Sequence, residues 1–286
     1  MLDRVTTQLA ALVLASALLH ASWNAMIKGK TSDPLAASTG LAIAWALLGA
    51  PAVFFVRAPS SEAWPFLGAS VIVHVVYFGL LVAAYREGDL SFVYTIVRGI
   101  PPALVALFAF VAAGEIPSVL GLAGVALIAS GVLALGGGSP LAVRSRRATW
   151  LALATALTVA TYTVLDGLGA RASGEPFGYL LWLTTAQGAL FAGIALAVHG
   201  RTLIAEVRKR WMLGLLTGVL SAAGYGIVIW AMTEAPIALV AALRETSVLF
   251  AAVLGALLLR EPFGGRRIAA ALLVAAGAAL VRFGGR

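Results

Sequence analysis

Ten apolar stretches, most about 20 residues long, run almost end to end through this chain. They leave too little polar sequence to cover a water-soluble fold. Hydrophobic residues make up 61% of the chain and charged residues 11%, with a mean hydropathy of +0.99. A soluble domain of 286 residues needs a larger charged share for its surface. At 1.5 Å per residue, about 20 helical residues cross a hydrocarbon core roughly 30 Å thick. The expected fold is therefore all-α and integral to a membrane, with ten transmembrane helices.

Gly, Pro and charged residues punctuate the runs. They place spans at Thr7–Ile27, Pro34–Val56, Trp64–Tyr85, Leu90–Ala113 and Pro117–Gly136. The second set is Ala148–Ala170, Pro176–Val198, Trp211–Met232, Pro236–Leu259 and Ile268–Phe283. Between the sets, Gly137–Arg147 combines a Gly-rich turn with Arg144, Arg146 and Arg147. The expected organisation is a first unit at 1–136, a loop at 137–147 and a second unit at 148–286. Five is odd, so the second set enters the membrane from the opposite side, and the units form an inverted repeat. In such folds the central cavity lies at the repeat interface near midplane. Ala15-Ser16-Ala17 has the small residues of a signal-peptide cleavage site. The run around it is too long, however, and contains His20, Trp23 and Asn24, so it reads as a spanning helix.

The formal charge of +8 comes from short basic clusters between apolar runs. That pattern fits membrane anchoring and headgroup contact, and no nucleic-acid partner is expected. The sequence has no cysteine, which excludes disulfides and thiolate chemistry. Gly29-Lys30-Thr31 is too short a match for a phosphate loop, and no strand precedes it. No metal-ligand spacing, nucleophile motif or cofactor motif is evident, and no enzyme is expected.

Two arginines interrupt the apolar pattern at equivalent places. Arg98 and Arg244 are 146 positions apart (244 − 98), as are Glu115 and Glu261, and Gly131 and Gly277. Arg98 lies roughly 12 Å in from Leu90 along a helix, too deep to snorkel easily. Ionisable groups at such depth normally face a bundle interior or a wet cavity. A guanidinium there attracts a carboxylate or phosphonate, or else pairs with another helix through Asp166 or Glu245. Glu245 follows Arg244 directly, and adjacent helical positions do not face each other, so each is expected to find its partner elsewhere.

Helical spacing gathers the remaining polar and aromatic candidates onto shared faces. His20, Trp23 and Asn24 share one, His74 and Tyr77 a second, Tyr94 and Arg98 a third, and Tyr162 and Asp166 a fourth. Tyr225 belongs to another aromatic segment. With Arg244 and Glu245, these are the expected cavity-lining and ligand-binding residues. Trp64, Trp150 and Trp211 sit at span ends and read as interfacial anchors. Gly214, Gly218, Ala222 and Gly226 form a small-residue ridge for close helix packing.

The stretch from Tyr225 through Gly277 carries an aromatic helix, a short Ala235-Pro236 loop, a helix ending at Glu261 and a last helix with the late Gly277. In these features it resembles the second EamA repeat of the drug/metabolite transporter superfamily. The first half repeats the pattern from Tyr77 through Gly131, with Glu115 in the matching place. The segment HASWNAMIK at His20–Lys28 is similar to the opening of EamA-type permeases. The resemblance covers essentially the whole chain. It implies a ten-helix carrier in a bacterial inner membrane that exports amino acids or related small metabolites by alternating access. Membrane lipids would be its other contacts, and it would work as a monomer. Small multidrug-resistance relatives carry a first-helix Glu, but Thr7–Ile27 has no carboxylate, which disfavours a proton-coupled cation exporter. The embedded arginines leave two alternatives open, a carrier of organic anions or phosphonates and a flippase for lipid-linked substrates. Loop charges place both termini outside. The resemblance places both inside.

Overall fold

The computed structural model describes residues 5–30, 33–88, 90–135, 145–259 and 264–283. All its regular elements are helices. They are α1 Thr7–Lys30, α2 Pro34–Ala52, α3 Trp64–Glu87, α4 Leu90–Gly99, α5 Pro101–Ala113 and α6 Val119–Leu135, followed by α7 Arg146–Ser173, α8 Pro176–Lys209, α9 Trp211–Glu234, α10 Ile237–Arg244, α11 Ser247–Leu259 and α12 Gly265–Phe283. Among the described residues, eight stretches are long and apolar enough to cross a membrane. Two of these run across a break, Phe92–Ala113 through α4 and α5 and Ile237–Leu254 through α10 and α11. α6 is a shorter apolar helix, and α12 carries Arg266, Arg267 and Arg282 near its ends. Of the sequence features above, Thr31, Gly136, residues 137–144 of the inter-unit loop and Glu261 lie outside the described residues.

Local chemistry explains several helix ends. Asp33 caps α2, its Oδ1 accepting from the Leu35 and Ala36 amides at 3.0 and 3.1 Å, with Pro34 in the first turn. Ser145 caps α7 through the Ala148 amide. Pro101 and Pro102 have no amide proton to continue α4, so the chain restarts as α5. α8 outruns its expected end at Val198: Gly200, at φ 59 and ψ −144, turns the chain, and a basic helical tail follows.

The fourth helix pair breaks without help from proline or glycine. α10 ends at Arg244 through tight bonds from the Glu245 amide to the Ala242 carbonyl and from the Thr246 amide to the Leu243 carbonyl. The Thr246 hydroxyl also donates to the Leu243 carbonyl at 2.7 Å. The sequence reading took Pro236–Leu259 as one unbroken helix, and the structure corrects it.

The helices pair antiparallel. Gly88, just past α3, abuts Ala148 at the start of α7, while Ala63 and Leu67 at the other end of α3 cluster with Ala170. The Ser16 hydroxyl of α1 donates to the Gly224 carbonyl of α9 at 2.7 Å. α2 lies on α8 and α6 on α12. Exchanging α1–α6 for α7–α12, helix for helix, turns the α3–α7 contact into the α9–α1 contact and returns the α2–α8 and α6–α12 contacts to themselves.

Bulky apolar side chains cover the outside. Leu47, Phe54, Phe55, Ile72 and Val111 are all more than 60% exposed, the reverse of a soluble surface. Trp64, Trp150 and Trp211 are exposed at helix ends, as interfacial anchors would be. Inside, small residues allow close approach. Part of the expected ridge meets α2, with Gly214 against Gly40 and Gly218 against Ala44, while Gly226 meets Leu180.

A close crossing joins α6 to α12. A Cβ on Gly277 would lie 2.7 Å from the Gly124 carbonyl oxygen and 2.9 Å from the Ile128 amide nitrogen. Those are backbone atoms and cannot swing aside. Gly277→Ala is therefore expected to destabilise the protein by about 1–3 kcal/mol. Gly79→Ala, where a Cβ meets nothing within 4 Å, should be neutral or slightly stabilising. Thermal unfolding in detergent checks the pair, and equal melting points for the two variants would contradict this packing.

Candidate functional site

A cavity of about 180 Å³ lies among α1, α2, α3, α7, α8 and α9, beside the breaks that end α4 and α10. It extends toward Ile27, Ala37, Val82 and Tyr85, where α1 and α3 finish and α2 begins. Eight of the residues expected from sequence line it: His20, Trp23, His74, Tyr77, Arg98, Tyr162, Tyr225 and Arg244. Asn24, Tyr94, Asp166 and Glu245 are not part of its wall. Asn24 donates back to the His20 carbonyl at 2.8 Å, one turn earlier on α1.

The two arginines reach the cavity because their helices stop there. Arg98 is the penultimate residue of α4 and Arg244 the last of α10. At a helix C-terminus, free carbonyls and the macrodipole favour a cation. Both side chains converge on Glu245. Its Oε1 lies 3.7 Å from Arg98 Nη1 and 3.4 Å from Arg244 Nη2. The expectation that Arg244 and Glu245 would not pair fails because the helix ends between them. Arg98, Arg244 and Glu245 are 8%, 6% and 1% exposed, so two guanidiniums share one carboxylate out of water.

Arg98 is the more occupied of the two. Its Nη2 donates to His20 Nε2, and its guanidinium carbon lies 5.8 Å from the centre of the Tyr94 ring. Since arginine has no acceptor, Nε2 is the unprotonated nitrogen of that imidazole. Among the described residues, Arg244 Nε has no hydrogen-bond partner.

Asp166 does not pair with an arginine. Its Oδ1 accepts from the Tyr179 hydroxyl at 3.2 Å, and its Oδ2 accepts from the Tyr225 hydroxyl. That buried carboxylate fixes the Tyr225 ring at the cavity edge. In the same ring cluster, His74 stacks on Tyr162 at 3.9 Å between centroids, meets Tyr225 edge-on at 6.3 Å and is held by Ser70 through Nδ1. Tyr77 meets Tyr162 edge-on at 5.6 Å, and Trp23 meets His20 edge-on at 5.0 Å. The wall is thus aromatic and apolar, with a cationic corner.

Sequence reasoning missed several lining residues. Trp45 donates through Nε1 to the Gly218 carbonyl at 3.0 Å and to Ser221 at 3.1 Å. Gln187, Ser16, Ser38 and Tyr85 line the cavity as well. Gln187 was the most legible of them, being an amide in the middle of an apolar run.

Another unanticipated cluster ties the end of the bundle where α5, α7 and α9 finish. Arg171 pairs with Glu115 at 2.6 Å and donates to the Met232 and Ala235 carbonyls at 2.7 and 2.9 Å. Glu115 Oε2 accepts from the Ile237 amide at 2.8 Å. The two Glu115 bonds cross between the two halves at the end away from Ile27 and Tyr85.

Comparison with known proteins agrees with this architecture. One solved structure, described only as "Crystal structure of protein", superposes with a TM-score of 0.77 over 96% of each chain. Its identity is 17%, so the likeness is one of fold. No curated protein matches the sequence. Residues 146–283 match the EamA-like transporter family, described in those words. The match begins at the first residue of α7 and ends with α12. The chain is thus a multi-pass membrane protein by its apolar helices, and its second half, residues 146–283, is similar to the EamA-like transporter family.

Proposed function

We propose that the chain is a secondary transporter for small carboxylate-bearing metabolites, with neutral amino acids the first substrates to test. One observation carries this reading: Arg98 and Arg244, which line a largely aromatic and apolar cavity, share the single carboxylate of Glu245. The cluster holds one more cation than anion, and in a low-dielectric interior an anionic group on a ligand relieves that excess. The aromatic wall supplies stacking and apolar contact for the rest of the molecule. An engineered apolar cavity of about 150 Å³ holds a benzene-sized guest. A cavity of about 180 Å³ therefore suits a small metabolite better than a lipid-linked sugar.

In this reading, residues 1–136 and 148–286 are two inverted repeats of five spans each, joined by 137–147. The helix exchange that preserves the packing pairs supports that division. Alternating access would move the repeats about the cavity, with Arg171 and Glu115 holding one end shut in the present state. We further propose export across a bacterial inner membrane by a monomer.

The purified protein in ATP-free liposomes is expected to move zwitterionic amino acids saturably. A panel that adds organic anions, phosphonates and fluorescent lipids tests the alternatives. Flux of lipids without flux of any amino acid or anion would overturn the proposal.

A further inference from the structure

Gln187 sits near the middle of α8, is 1% exposed, and lines the cavity. Neither its Nε2 nor its Oε1 has a hydrogen-bond partner among the described residues. Buried amides in folded proteins are almost always satisfied, because an unpaired buried donor or acceptor keeps its full desolvation cost. Packing does not explain the amide, since a leucine of similar size would fill the same space without that cost. Its neighbours are already committed: Trp45 and Ser221 bond to each other and to the Gly218 carbonyl.

The position separates this group from the arginines. α8 packs chiefly on α2 and also on α9, α3 and α7, whereas Arg98 and Arg244 stand at the ends of α4 and α10, neither of which is a close neighbour of α8. A ligand whose carboxylate meets the arginines would present its other end to a different wall. A carboxamide presents an acceptor to one nitrogen and a donor to one oxygen, so it satisfies both free atoms of Gln187 at once. An ammonium group only donates, and an alkyl group does neither.

We infer that Gln187 is a specificity-determining residue and that the preferred substrates carry a carboxylate at one end and a carboxamide at the other. This rests on the transport reading above and deepens it. A site built to hydrogen-bond its substrate discriminates strongly against analogues lacking the group, because its own polar atoms are then left unpaired.

The test compares glutamine and asparagine with norleucine and leucine, as flux into ATP-free liposomes and as ligand-induced thermal shifts in detergent. The native protein should favour the amides by about ten-fold or more. Gln187→Leu should erase or reverse that ratio while raising the melting point of the ligand-free protein. Gln187→Asn, which keeps the amide on a shorter arm, should retain part of the preference. Native protein that moves both sets equally overturns this inference and leaves the transport reading standing. A Gln187→Leu variant that loses flux for both sets alike and melts earlier makes the residue structural and overturns it too. No flux and no thermal shift with any compound overturns both readings.

Discussion

Arg244→Gln is expected to lower carboxylate flux by about 30-fold or more while leaving the protein folded. Losing a charge-assisted hydrogen bond to a ligand costs on the order of 2 kcal/mol, which corresponds to that factor. Arg244 is the arginine to change because it faces the cavity with Nε unpartnered among the described residues, whereas Arg98, beyond the Glu245 contact that both share, also donates to His20. The fold should tolerate the change because Arg98 and Glu245 remain as a balanced pair. Flux at a saturating and a limiting concentration, together with a melting curve, measures both effects. A variant that melts early but still gains normal stability from substrate would make Arg244 a structural residue.

Glu245→Gln should act in the opposite way, with its main effect on stability. It removes the carboxylate that both guanidiniums share and strands two like charges that are each less than 10% exposed. Breaking a buried ion pair by removing one partner costs about 3–5 kcal/mol. The expected result is a large fall in melting point that a carboxylate ligand partly restores. The restoration should exceed the shift seen with native protein, because the ligand then supplies the missing anion. An unchanged melting point would mean that the three residues do not form one electrostatic unit.

The contrast between these variants shows what was legible in the sequence and what was not. Membrane placement followed from apolar run length, and the depth of Arg98 and Arg244 followed from counting helical rise. Periodicity put His20 with Trp23, and His74 with Tyr77, on shared helix faces, and the packing of α1, α3, α7 and α9 brings these with Tyr162 and Tyr225 to one cavity. The role of Glu245 was not legible. Adjacent helical residues diverge, and only the break after Arg244 lets the two pair. That break has no proline or glycine to announce it. It is held by short-range bonds of the Glu245 and Thr246 amides and the Thr246 hydroxyl, features that are visible only in the packed state. The partner of Asp166 was misjudged for a related reason. Spacing on α7 says nothing about which side chains of α8 and α9 arrive opposite it, and two tyrosines do. The Arg171–Glu115 cluster joins residues from separate helix ends, which no local pattern connects.

The most direct test of the account is counterflow in ATP-free liposomes, with one labelled amino acid outside and unlabelled compounds inside. Free carboxylates inside should drive saturable uptake of the label, and the matching methyl esters should not. The two ligands differ in the group that Arg244 is expected to bind, and the remainder of the molecule is unchanged. Exchange driven equally well by acids and esters would contradict the central claim that the arginine corner of this cavity recognises a carboxylate.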